Sequence, residues 1–370
     1  MRQPTPRAEP SAVADARGPL PAWLAPVSWP LARAYGLGVA WRNARLSRGE
    51  GVRMLEVGAV RIPVVSIGNM SAGGTGKTPF VAWCAREAVR AGVRPVIALR
   101  GYRSADHGRG VASSDEAMEY AQRVPDADLV VGPRRREGLV AWFSSGAGAS
   151  RRAESAVFLD DGFQHRQLAR ELDIVLVDAT RPALDGDLLP NGWLREPAAN
   201  IARAGLVVLT KADDPRERER AARLVERWRG APHDAVCVHA WQALELHGGK
   251  DARETLATSS LATSWLAGKR VVSACALGNP AHFHAMVERA GAQVAARLEK
   301  GDHRAFTRDE LARAAARAGA ECVVTSRKDF VKLDDAREGG VPIAVPELAL
   351  VFVEGEDAVR ARVRAAISGG

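Results

Sequence analysis

Lys77 and Thr78 are the residues with the clearest chemical purpose. They sit inside the stretch "SAGGTGKTPFVAW", residues 71–83, directly after Gly73, Gly74 and Gly76. Glycines let a backbone turn so that successive N–H groups converge on one point, and the start of a following helix adds a partial positive charge there. A lysine at that place reaches the β and γ phosphates of a nucleoside triphosphate, and a threonine hydroxyl ligates Mg²⁺. Ser71, Ala72, Gly73, Gly74, Thr75, Gly76, Lys77 and Thr78 are therefore expected to cradle a triphosphate, with Thr78 on its metal. The strict pattern G-x-x-x-x-G-K-[ST] begins with glycine where this chain has Ser71. Pro79 fits in the first helical turn, whose N–H groups have no intrahelical acceptor.

Such a loop needs an acid on the metal side, at the end of a neighbouring strand. "AVFLDDGFQHR" supplies Asp160 and Asp161 behind an apolar run, and the sequence does not choose between them. "VVLTKAD" raises a rival reading, because Thr210, Lys211 and Asp213 match the [NT]-K-x-D pattern with which guanine-specific proteins read their base. A guanine-nucleotide hydrolase also carries D-x-x-G after its acidic strand. Here Gly162 follows Asp160 and Asp161 one position too soon, and no switch segment with a metal-binding Thr is evident. An ATP-dependent kinase is the leading expectation and a GTPase the alternative. For the acceptor, Arg100 and Arg103 flank Gly101 and Tyr102, and arginines pair bidentately with phosphate, so an anionic substrate is expected. Asp115 and Glu116 open a helix. Asp302 and His303, ahead of a cap at Thr307, form an acid–imidazole pair that either orients a proton transfer or serves as a loop hydrogen bond.

The elements that must position these groups follow from periodicity. Of 370 residues 46% are hydrophobic but only 5% aromatic, so cores of Ala, Val and Leu are expected. From residue 60 onward, apolar runs such as "AVRIPVVSIGN", "RPVIALRGY", "SAVFLDDG", "DIVLVDAT" and "AGLVVLTKAD" alternate with helical patterns. That alternation predicts an α/β fold, a P-loop NTPase-like parallel sheet covered by helices, with a smaller second α/β domain. The expected organisation is a tail over 1–20, an interfacial segment over 21–48, a P-loop domain over 49–235 and a second domain over 236–370. The segment 21–48 carries Trp23, Leu24, Val27, Trp29, Leu31, Tyr35, Leu37 and Trp41, ending in Arg42, Arg45 and Arg48. Arg33 and several prolines argue against a spanning helix, while Trp with Arg suits the headgroup layer of an anionic membrane. Four scattered cysteines without a C-x-x-C pair predict a reducing compartment and no zinc site. The net charge of +8 does not by itself assign a partner, and nucleic-acid signatures are absent.

Together these segments resemble the tetraacyldisaccharide 4′-kinase family of lipid A synthesis, from Trp23 to Phe352. The resemblance is carried by "IPVVSIGNMSAGGTGKTPFVAW", "RGYRS", "SDEAM", "FLDDGFQHRQLARELDIVLVDA" with "LLPNGWLREP", "LTKAD", "ALGNPAHF", "GDHRAFT" and "VVTSRKDFVKL", all in the family's order. It implies ATP- and Mg²⁺-dependent phosphorylation of the 4′-hydroxyl of an acylated glucosamine disaccharide 1-phosphate at the cytoplasmic face of the bacterial inner membrane. It also implies roles for residues: Asp115 accepting the hydroxyl proton, His303 held by Asp302 as its partner, and Arg100, Arg103, Gln164 and His165 on the substrate side. The chain departs from the family pattern at Lys300 and Gly301, which replace Phe-Pro, at Arg304, in the place of a second His, and at Ser114, where Gly is usual.

Overall fold

The computed structural model describes residues 18–101, 115–248, 259–277, 279–301, 304–333 and 340–368. The chain opens with helix α1 (Ala25–Ser47) and a short hairpin, β1 (Glu56–Val57) with β2 (Val60–Arg61). There follow β3 (Val64–Asn69), α2 (Lys77–Arg90), β4 (Arg94–Leu99), α3 (Asp115–Arg123), β5 (Asp128–Val131), α4 (Arg135–Ser144), α5 (Gly146–Ser150), β6 (Ser155–Asp160), β7 (Leu172–Asp178), β8 (Leu206–Thr210) and α6 (Pro215–Arg229). The second half contains β9 (Ala235–His247), β10 (Ser259–Leu261), β11 (Arg270–Cys275), α7 (Pro280–Arg289), β12 (Gln293–Glu299), α8 (Arg308–Ala318), β13 (Cys322–Thr325), α9 (Arg327–Phe330), β14 (Ile343–Glu354) and α10 (Glu356–Ile367).

β3 is buried along its whole length, as a central parallel strand covered on both faces should be. It pairs in parallel with β6 (Ile67↔Asp160) and with β7 (Asn69↔Leu176), and β7 pairs in parallel with β8 (Asp178↔Thr210). Register therefore brings Asn69, Asp160, Asp178 and Thr210 to one carboxyl edge, where open α/β sheets bind ligands.

Among the described residues the two halves share one sheet, in the order β12-β11-β13-β14-β9-β8-β7-β3-β6-β4-β5. The join is β9, thirteen residues long, whose start pairs in parallel with β8 and whose full length runs antiparallel to β14. From Ala240 onward the sequence carries turn residues and little periodicity. Many of the side chains of β9 are only partly buried, so the alternation that marks a strand is blurred. The last helix also packs outside its expected unit. Val359, Val363 and Ile367 of α10 join the core formed by α2, β3 and β7, so the chain's end returns to the first half.

Helix α1 is continuous through Pro30 and leaves large apolar side chains exposed. Its buried residues are Ser28, Ala32, Val39, Asn43 and Leu46, while Val27, Trp29, Leu31, Leu37 and Trp41, with Trp23 in the turn just before it, are exposed. Polar hooks attach it: the Ser28 hydroxyl donates to Asn191 Oδ1 (2.7 Å), the Tyr35 hydroxyl to the Arg195 carbonyl (2.7 Å), and Asn43 Nδ2 to Glu196 Oε2 (3.2 Å). No described helix is long and apolar enough to cross a membrane.

Candidate active site

The phosphate loop is built from its peptides outward. After β3 the chain runs from Met70 to Gly76 and enters α2 at Lys77. Gly76 is left-handed (φ 81°), and a Cβ there would lie 2.6 Å from the His239 ring, so both conformation and space demand glycine. Three successive carbonyls of the loop are engaged from the protein side. Gly73 accepts from Asn69 Nδ2 (3.5 Å), Gly74 from Lys211 Nζ, and Thr75 from the Thr210 hydroxyl (2.8 Å). In a trans peptide N–H points opposite to C=O, so the N–H groups of Gly74, Thr75 and Gly76 face away from those donors, as an anion cradle requires. The other flank is fixed by Ala72 N–H donating to the Trp193 carbonyl (2.8 Å) and Arg195 N–H to the Met70 carbonyl (2.9 Å).

Lys77 Nζ lies 3.4 Å from Asn69 Oδ1 and 3.4 Å from Asp161 Oδ1. The two acids beyond β6 have different environments. Burial raises the pKa of Asp160 above the usual carboxylate range, with the Lys77 charge opposing that shift. Its Oδ2 accepts from the Tyr120 hydroxyl (3.0 Å), which also hydrogen-bonds Thr78, while its buried Oδ1 has no partner among the described residues. Burial would raise Asp161 as well, but Lys77 and Arg195 overcome it and hold the carboxyl at about 2. Arg195 Nη1 donates to both its oxygens, at 2.8 and 2.6 Å. Asp161 is thus a fixed anion. It is also left-handed (φ 53°), a strain of about 1–3 kcal/mol that positions its carboxylate beside the lysine.

These residues fit Mg²⁺. The ion takes one or two carboxylates plus phosphate and water oxygens, and here an unsatisfied Asp160 oxygen, Asp161 and the Thr78 hydroxyl supply hard donors. No group of three or more His, Cys, Asp or Glu that could hold a metal alone occurs among the described residues.

A cavity of about 530 Å³ opens between the end of α1 and the start of α4. Arg42, Arg45, Arg53, Arg134, Arg135 and Arg136 line it with Trp41 and His165. Arg135 is buried and donates to the Asp161 carbonyl (3.1 Å), so this arginine-rich wall and the phosphate loop meet at one residue. Burial, then the charges of Arg135, Arg170 and Arg42, push His165 down to about 4, so its imidazole is neutral at pH 7. Gln164, adjacent, spends its amide N–H groups on the Asn69 carbonyl (2.8 Å) and Glu196 Oε1 (2.9 Å).

The structure therefore brings together the residues 71–78, Asp160, Asp161, Gln164 and His165. Arg100 follows β4 and is exposed. Asp115 opens α3, with only its backbone described, and Arg103, Asp302 and His303 lie outside the described residues. Reading the sequence missed Arg195, Tyr120, Asn69 and the run Arg134–Arg136. The signal available was three arginines at a helix start in "GPRRREGL".

The sequence model of the family described as Tetraacyldisaccharide-1-P 4'-kinase matches residues 24–368. A tetraacyldisaccharide 4'-kinase of Anaeromyxobacter sp. (strain Fw109-5) is 35% identical over 371 aligned positions, covering 92% of each chain. Another, from Anaeromyxobacter dehalogenans (strain 2CP-C), is 39% identical over 80% of this chain and 78% of its own length. A crystal structure of LpxK from Aquifex aeolicus in complex with ATP superposes with a TM-score of 0.64 at 24% identity, covering 92% of this chain and 98% of that one. At that identity the likeness establishes the fold.

Proposed function

The chain belongs to the Tetraacyldisaccharide-1-P 4'-kinase family, and from that membership we propose that it transfers the γ-phosphate of ATP to the 4′-hydroxyl of a tetraacyl glucosamine disaccharide 1-phosphate. It is a kinase of lipid A biosynthesis, which sets aside the GTPase alternative. One observation carries the finer reading: the Lys77–Asp161 pair stands between a phosphate loop and a cavity lined by six arginines, under a helix with exposed tryptophans. Donor, acceptor phosphate and acyl chains each have a surface of matching chemistry.

In this reading the N–H groups of Gly74–Gly76 and the Lys77 ammonium hold the β and γ phosphates. Thr78, Asp160 and Asp161 would hold Mg²⁺, which would offset charge on the phosphate oxygens. The acceptor oxygen attacks the γ-phosphorus as the bond to the β–γ bridging oxygen breaks, ADP leaves, and the hydroxyl proton passes to Asp115. His303 with Asp302 supports that proton acceptor from the second half. Phosphoryl transfer is chiefly positioning and electrostatics, and the Arg195–Asp161–Lys77 row is already ordered for it. The arginine cavity takes the acceptor's 1-phosphate, with Arg100, Arg103, Gln164 and His165 along the approach. The exposed face of α1 rests on an anionic inner membrane from the cytoplasmic side, where Arg33 over Trp29 (4.8 Å) and Arg45 over Trp41 (5.0 Å) sit at headgroup level. The test is incubation of the purified chain with terminally labelled ATP and the disaccharide-1-phosphate lipid. Label in the lipid is expected. Hydrolysis of ATP with no label in the lipid would overturn the reading.

A further inference from the structure

Arg181 stands on the rim of the phosphate loop, in the turn that follows β7. Asp178, the last residue of that strand, ties the turn down. Its Oδ1 accepts from the Thr180 N–H (3.0 Å) and hydroxyl (2.6 Å), and its carbonyl from the Arg181 N–H (3.2 Å). The same carboxylate pairs with Lys211, which donates to the Gly74 carbonyl, so turn and loop are fixed to one another. Asn279, ahead of α7 in the other half of the chain, donates to the Thr180 hydroxyl (3.2 Å) and braces the turn from outside.

The Arg181 guanidinium lies over the indole of Trp193, 4.5 Å from the ring centroid, and the Trp193 carbonyl is the one that holds Ala72 of the loop. From this seat Nη2 comes within 3.8 Å of the point where a Cβ on Gly73 would lie, and glycine there (φ 125°) leaves the space between guanidinium and loop open. The other cations at the loop are engaged by the protein. Lys77 and Arg195 face Asp161, and Lys211 is shared by Asp178 and the Gly74 carbonyl. Arg181 is exposed, and its guanidinium has no carboxylate or hydrogen-bond acceptor among the described residues. A guanidinium stacked on an aromatic face keeps its N–H donors for whatever lies at its edge.

We propose that Arg181 is a catalytic residue of phosphate transfer, donating from its seat on Trp193 to the terminal phosphate held by residues 71–78. The inference deepens the kinase reading and rests on it. During transfer the acceptor oxygen bonds to the γ-phosphorus while the bond to the β–γ bridging oxygen breaks, and the electron pair of that bond leaves with ADP. Negative charge gathers on the bridging and equatorial oxygens. Arg181 offers them a planar fork of donors and neither gains nor loses a proton. An arginine supplied in this way, from the same chain or another, is worth about 10³-fold or more in rate.

Single-turnover transfer from saturating γ-labelled ATP, with equilibrium ATP binding measured separately, tests this on the full chain. Arg181→Ala is expected to slow transfer about 10³-fold while ATP affinity stays within about threefold of wild type and the melting temperature is retained. Guanidinium ion added to Arg181→Ala should recover part of the lost rate and should leave Lys77→Ala inactive. Trp193→Ala, which removes the platform but not the carbonyl that holds Ala72, should slow transfer about tenfold. Transfer by Arg181→Ala within about threefold of wild type, or a loss confined to ATP affinity, overturns the role. Slow hydrolysis of ATP without lipid breaks the same bond with water as the nucleophile, and it should fall in Arg181→Ala as well. Hydrolysis that depends on Arg181 in a chain that never labels the lipid contradicts the kinase reading alone.

Discussion

The Asp160–Asp161 pair shows how neighbours along the chain acquire different protonation chemistry. Both are withdrawn from water, but Asp161 faces Lys77 and Arg195 and stays ionised, while Asp160 meets a phenol and keeps an oxygen with no partner among the described residues. Reading the sequence stops at "one of the two" because the difference is made by Arg195, thirty-four positions away. Lys77→Ala should abolish phosphate transfer to the lipid while the melting temperature stays within a few degrees, checked by labelled transfer and calorimetry. A folded-state pKa of about 2 for Asp161, against an ordinary 3.8, contributes about 2 kcal/mol of stability. Because that pKa is depressed, the contribution is present above pH ~4 and lost as pH falls toward 2. His165 acts at higher pH. Its folded pKa of about 4 lies below the ordinary 6.5, so the unfolded chain binds the extra proton and stability declines as pH falls from 6.5 to 4. His165→Gln should flatten that part of the melting-temperature profile, and an unaltered slope would assign it to other groups.

Among the elements, β3 and α2 are fully legible in sequence, since a continuous apolar run, glycines and a helical pattern follow one another without interruption. β9 is not, because its partner β14 lies a hundred residues away and supplies the burial that its own composition does not reveal. α10 is a different case. Val359, Val363 and Ile367 recur every four residues, a helical stripe obscured by dense arginine. The helix entry at Gly76 yields a direct test: Gly76→Ala meets both a left-handed backbone and the His239 ring, so nucleotide affinity should fall at least tenfold with most of the fold retained. Equal affinity in that variant would mean the loop has room the structure does not contain. For α1 the exposed side chains matter. Burying a large apolar side chain fully is worth about 1.5–3 kcal/mol, so even partial insertion of six favours a lipid surface by several kcal/mol. The triple variant Trp23→Ser, Trp29→Ser, Leu37→Ser should bind anionic vesicles at least tenfold more weakly in a flotation assay, with thermal stability nearly unchanged.

Across the whole molecule, the continuous sheet brings the phosphate loop and the exposed apolar side chains of α1 to the same edge. Parallel register sets the strand ends in a row, the segment around Arg195 and Glu196 locks α1 above them, and β9 with β14 carries the second half alongside. Glu196 is buried and accepts from Asn43, Gln164, Asn200 and Arg203, so α1 and the site share one carboxylate. The α/β class and the loop could be read from sequence, but the arginine cavity could not, because its arginines come from two stretches of chain about eighty residues apart and mean nothing singly. The measurement that bears most directly on the account locates the phosphate transferred by the wild-type chain. With γ-labelled ATP and vesicles containing the disaccharide 1-phosphate, mass spectrometry and NMR should find one added phosphate, on the 4′ carbon's oxygen. Label confined to inorganic phosphate, or placed on any other oxygen of the disaccharide, would contradict it.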